Sequence, residues 1–91
     1  MRRRVVIAGR VQGVAYRAWV KRSADRLGLT GWVRNRRDGC VEAVFSGPDG
    51  LLDDMVRRCW FGPPASKVLA VEVLPVGEEA EFVGFDIRPT I

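Results

Sequence analysis

The run Arg37-Asp38-Gly39 constrains this chain more than any other feature. It separates two short runs of strand character, Thr30 to Arg34 and Cys40 to Phe45. Asp-Gly between such runs is a hairpin signal, so the two runs should pair antiparallel. A segment of helical period stands on either side. Upstream, from about Val14 to Leu27, Tyr16, Val20, Ala24 and Leu27 recur at helical spacing, and Gly28 stands where a left-handed cap belongs. Downstream, from about Leu51 to Trp60, Leu52, Met55, Val56 and Cys59 form an apolar stripe. Asp53 and Asp54 lie early in it and Arg57 and Arg58 late, as the helix dipole favours. Gly62-Pro63-Pro64 stops it.

Three further strands complete the pattern. Arg4 to Ala8 is short and β-branched. Lys67 to Leu74 alternates, with Leu69, Val71 and Val73 sharing a face. Phe82 to Arg88 alternates too, with Val83, Phe85 and Ile87 on one face. Pro75 to Ala80 reads as a polar turn between them. Within Cys40 to Phe45, Val41, Ala43 and Phe45 share a face and Glu42 takes the other, the pattern of a half-buried strand. The order is therefore β-α-β-β-α-β-β. Its economical packing is an α+β, ferredoxin-like α/β sandwich: βαββαβ plus a final strand, two helices on one face of a mostly antiparallel sheet. Ninety-one residues suit one domain, residues 1–91. The fold decides no function by itself.

Composition narrows the chemistry. The chain has no His, which removes imidazole bases, Ser-His and Cys-His pairs and His metal ligands. Cys40 and Cys59 make no metal spacing, and free thiols are the default for them. No metal site is suggested. Net charge is +4, with 13 Arg and 2 Lys, which favours anionic partners. The apolar run after Met1-Arg2-Arg3-Arg4 ends at Gly9, too short for a signal peptide, and nothing approaches a membrane span. A cytoplasmic monomer is the expectation.

The stretch Gly9-Arg10-Val11-Gln12-Gly13-Val14-Ala15-Tyr16-Arg17 sits where the first strand becomes the first helix. Unpaired N–H groups at a helix start bind anions, and a glycine turn curls them into a concave nest. Arg17, in the first turn, can close that nest over a phosphate. A plain strand-to-helix turn with a solvated Arg is the competing reading. The spacing matches neither a Walker A loop nor a dinucleotide fingerprint. Asn35, near the end of the second strand, can donate to and accept from one water. It can equally bond its own backbone in a turn.

Together the two stretches resemble the acylphosphatase family. Gly9 to Arg17 is similar to that family's first signature, G-x-V-Q-G-V-x-F-R. Gly31-Trp32-Val33-Arg34-Asn35, followed by Gly39, Val41 and Gly47, is similar to its second. Gly62-Pro63, Lys67-Val68 and Phe85-x-Ile87 extend the likeness over nearly the whole chain. The resemblance implies a cofactor-free hydrolase that cleaves acyl phosphates to a carboxylate and inorganic phosphate. It implies that Arg17 binds the phosphate, that Asn35 orients the attacking water, and that the backbone of Gln12, Gly13, Val14, Ala15 and Tyr16 cradles the phosphate oxygens. Ala15 and Tyr16 depart from the family's usual Gly and Phe. A methyl at position 15 is harmless in a helical residue and costly at positive φ. A buried Tyr16 hydroxyl needs a partner.

Two alternatives have their own signatures. An RNA-binding module shares the βαββαβ order, but its aromatic middle-strand pattern is absent from Val41-Glu42-Ala43-Val44-Phe45. Acylphosphatase-like domains also occur in hydrogenase-maturation proteins, whereas a chain stopping at Ile91 reads as free-standing.

Overall fold

A computed structural model of the chain describes residues 1–77 and 80–91. Its elements run β1 (Arg2–Arg10), α1 (Tyr16–Arg26), β2 (Thr30–Asn35), β3 (Val41–Ser46), α2 (Asp49–Cys59), β4 (Lys67–Leu74) and β5 (Phe85–Ile87). The sheet has five strands in the order β4-β1-β3-β2-β5. Every neighbouring pair is antiparallel except β2 with β5. The expected ferredoxin-like sandwich is the fold.

Local chemistry sets the joints. Gly28 takes φ 69°, its N–H donates to the Asp25 carbonyl, and that of Leu29 donates to the Ala24 carbonyl. These two bonds close α1 as a Schellman cap. At the hairpin, Gly39 donates to the Arg36 carbonyl, and Asp38 accepts from the Cys40 N–H at 3.0 Å. The β2 and β3 registers follow, with Val33 opposite Ala43 and Asn35 opposite Val41. Odd-numbered residues of β1, β2 and β3 therefore face the helices. There Val5, Ile7, Val33, Val41, Ala43 and Phe45 pack with Tyr16, Val20, Ala24, Leu52, Met55 and Cys59 in one core.

Three expectations need correction. First, β3 is buried on both faces, not half-buried. Glu42 is 2% exposed and Val44 likewise lies buried. On the open face the Glu42 carboxylate receives Arg4 Nε at 2.8 Å and Arg34 Nε at 2.9 Å. Two guanidiniums from the flanking strands thus roof the central one, and a charged residue is sealed in by its own partners. Second, Leu69 does not share a face with Val71. The β1–β4 register slips between Ala8 and Gly9, inserting an extra residue in β4. A Cβ at Gly9 would collide with the Lys67 carbonyl, so only glycine admits this close approach. Val68 and Val71 pack on the core, while Leu69 is 67% exposed. Third, the last strand spans only Phe85–Ile87. Gly84 turns the chain at φ 70°, and Val83 lies in solvent. The expected Pro75–Ala80 turn lies partly outside the described residues.

Burial pushes the Glu42 carboxyl up, but the hydrogen bonds and charges of Arg4 and Arg34 outweigh it and hold the group below its ordinary value of 4.5. Its contribution is present above that value and is lost as pH falls through the lowered folded value. Melting temperature should therefore drop as pH falls below about 4.5, and Glu42→Gln, less stable at neutral pH, should show a shallower acid limb by circular dichroism.

Candidate active site

β1 ends at Arg10, and the next residues climb to the start of α1. Gly13 takes φ 73° and Ala15 φ 63°, both left-handed. Two such residues bracketing Val14 curl the backbone. Ala15 is the N-cap residue of α1 and offers no side-chain cap. No acidic residue occupies the first turn either. Among the described residues, the backbone N–H groups from Gln12 to Ala18 find no protein acceptor. A helix usually satisfies its first donors with Ser, Thr or Asp at this place. Here they stay open, at the positive end of the dipole.

A cavity of about 210 Å³ lies against this helix start. Gly13, Ala15, Tyr16, Arg17 and Asn35 line it, together with Val11, Ala18 and Ile87. The structure thus brings five of the seven expected site residues to one cavity. Arg17 is partly exposed and pairs with no carboxylate among the described residues. Asn35 ends β2, and its Oδ1 is buried without a hydrogen-bond partner. The turn reading for Asn35 is not what the structure has, because that oxygen bonds no backbone donor. An orphaned buried acceptor at a polar cavity is a place for a donor such as water.

Gln12 and Val14 stand outside the lining. The Gln12 amide nitrogen donates to the Arg36 carbonyl at 2.7 Å and to the Cys40 carbonyl at 2.8 Å. Its side chain therefore ties the loop to the β2–β3 hairpin. Val14 packs partly buried against the core.

Tyr16 is 1% exposed, and its hydroxyl donates to the Cys59 carbonyl at 2.6 Å. Burial first, then the Cys59 contact, push its pKa far above 10. The hydroxyl thus has its partner, a carbonyl at the C-terminal end of α2, and stays a neutral strut. Burial also lifts the Cys59 thiol to about 12, while the Tyr16 contact opposes the rise. Cys40 and Cys59 are both free thiols.

Sequence reading missed Val11, Ala18 and Ile87. Ile87 lies opposite Val33 in the parallel β2–β5 pair, so its side chain shares the helix face with Val33 and Asn35. The partner of the last strand was the missing fact, and the alternation Phe85-x-Ile87 alone could not supply it.

Ala15 at φ 63° carries strain that glycine would not. Ala15→Gly should raise stability by up to ~1 kcal/mol, glycine's larger unfolded-state entropy offsetting part of the relief. Urea unfolding checks this.

Comparison with known proteins places the chain in a family. The family model described as acylphosphatase matches residues 3–87. An acylphosphatase of Nitrobacter hamburgensis is 60% identical over 96% of this chain and 85% of its own length. The crystal structure of acylphosphatase from Bacillus subtilis superposes with a TM-score of 0.90 at 38% identity, covering 96% of this chain and 97% of that one. An acylphosphatase from Coxiella burnetii superposes with a TM-score of 0.89 at 34% identity, covering 96% and 90%. On this sequence, this fold and these likenesses, the chain belongs to the acylphosphatase family.

Proposed function

We propose that this acylphosphatase hydrolyses acyl phosphates in the cavity at the start of α1. The observation that carries the assignment is the meeting there of an uncapped helix start, an Arg17 that pairs with no carboxylate among the described residues and a buried Asn35 oxygen with no described partner. The open N–H groups of the Gln12–Tyr16 loop bind the phosphoryl oxygens. Arg17 adds a charged fork at the same group. Asn35 Oδ1 accepts a hydrogen bond from a water, which keeps that proton, and so aims the water's lone pair at phosphorus. The water oxygen bonds to phosphorus as the bridging P–O bond breaks. The electron pair of that bond leaves with the carboxylate, and a phosphoryl oxygen takes the water's other proton.

A carboxylate is a good leaving group, so no strong acid is required, and a chain without His can do this chemistry. Positioning and charge stabilisation supply the rate. The apolar lining of Ile87 and Ala18 receives the acyl end. Ile87 is 43% exposed, so the acyl group covers apolar surface as it binds. The same reading takes residues 1–91 as one domain, a monomer that works on a small soluble substrate without a cofactor. No described helix is long and apolar enough to cross a membrane. Two free thiols fit a reducing cytoplasm.

Metal-free release of phosphate from benzoyl phosphate tests the assignment. Arg17→Ala and Asn35→Ala should each cut turnover by ~10²–10³ with the fold intact. Near-normal turnover in both would remove the site. Ile87→Ala should lower kcat/KM for benzoyl phosphate by roughly five- to tenfold and for acetyl phosphate by far less, because only the larger group reaches that lining. Equal losses on both substrates would place the acyl end elsewhere.

A further inference from the structure

The face of the sheet away from the helices holds a cavity of about 360 Å³, larger than the one at α1. Arg4, Arg34, Arg36 and Arg37 line it, with Glu42 and Asp38 among them. Ile91 lines it too, and the four guanidiniums outnumber the two side-chain carboxylates there. Glu42 is buried, and Arg4 and Arg34 each grip one of its oxygens through Nε and one terminal nitrogen, Nη2, at 2.6–2.9 Å. The remaining terminal nitrogen of each has no described partner. Arg36 pairs with Asp38 at 2.9 Å, while Arg37 is exposed and pairs with no described carboxylate.

Burying a carboxylate is expensive, and an apolar side chain would cover β3 more cheaply. What Glu42 does that an apolar residue could not is hold two guanidiniums together against their own repulsion. They come from β1 and β2, two strand spacings apart across β3, while Arg36 and Arg37 lie at the hairpin. The donors are therefore spread along the cavity and not focused on one point. A single phosphate group satisfies only part of such a row. Base stacking is not on offer beside it. Trp32, an aromatic residue on this face, is 3% exposed, with Arg34 and Arg88 set over its ring at 4.4 and 4.7 Å.

We propose that this cavity is a second anion site, separate from the catalytic one, for ligands carrying several phosphate groups in a row. Linear polyphosphate and the triphosphate tail of a nucleotide share that chemistry. Recognition is of the phosphates alone, through arginine forks. The site does not depend on the catalytic assignment, because it lies on the opposite face of the sheet and uses other residues.

Calorimetry on the Arg17→Ala protein, whose helix-start site is weakened, tests this with tripolyphosphate, adenosine triphosphate and orthophosphate. Tripolyphosphate should bind one per chain, the nucleotide within a few-fold of it, and orthophosphate at least ~tenfold more weakly. Adding Arg37→Glu, at an exposed position, should weaken tripolyphosphate by about tenfold or more while leaving the melting temperature near that of its parent. Rising salt should weaken it further. Absence of tripolyphosphate binding to Arg17→Ala, or unchanged affinity after Arg37→Glu, would overturn the proposal. A nucleotide bound far more tightly than tripolyphosphate would overturn the claim that phosphates alone are read.

Discussion

The two hydrogen bonds from the Gln12 amide tie the loop before α1 to the β2–β3 hairpin, and the shape of the cavity at the helix start depends on them. They reach carbonyls on both sides of the β2–β3 hairpin, at Arg36 and Cys40. Asn35 immediately precedes Arg36, so the same bonds that anchor the loop also fix its distance from Asn35. Without them, a glycine-bearing loop with two left-handed residues would have many conformations open to it. The helix start and the strand end would then meet only occasionally. Gln12 thus acts through its contacts with the hairpin and contributes no side-chain atom to the cavity lining.

A second strut acts from below. Tyr16 sits at the first position of α1, and its hydroxyl bonds the last carbonyl of α2. Its ring packs against Trp19 at 5.7 Å and lies beside the backbone of Gly62. One aromatic residue therefore joins the start of one helix to the end of the other. The helix start is rigid where it borders the core and open where it borders solvent. That division suits a site that must hold donors still without supplying acceptors of its own.

Much of this was readable from residue order. The hairpin at Asp38-Gly39, the cap at Gly28 and both helical stripes are local, and local sterics decide them. Arg17 and Asn35 were legible only as a pair of stretches at a set interval; neither residue type alone means much. Strand edges were less legible. The β4 face was misread because a bulge is a matter of how two strands pair, and pairing is not written in either strand. The burial of Glu42 was misread because alternation cannot show that Arg4 and Arg34 come from strands flanking it. Ile87 escaped notice because its neighbours depend on β5 docking in parallel beside β2.

The sequence by itself determined the order of elements, the absence of imidazole chemistry and the two stretches that resemble the family's signatures. These follow from side-chain type and short-range spacing, which act within a few residues of the chain. Only the tertiary structure decided that Ala15 stands at positive φ, that Gln12 spends its amide on the hairpin, and that Asn35 keeps an unbonded oxygen beside Arg17. The last two join segments more than a dozen residues apart. The physical reason is that hydrogen-bond partners and strand neighbours are chosen by packing of the whole sheet, not by the residues that happen to adjoin them.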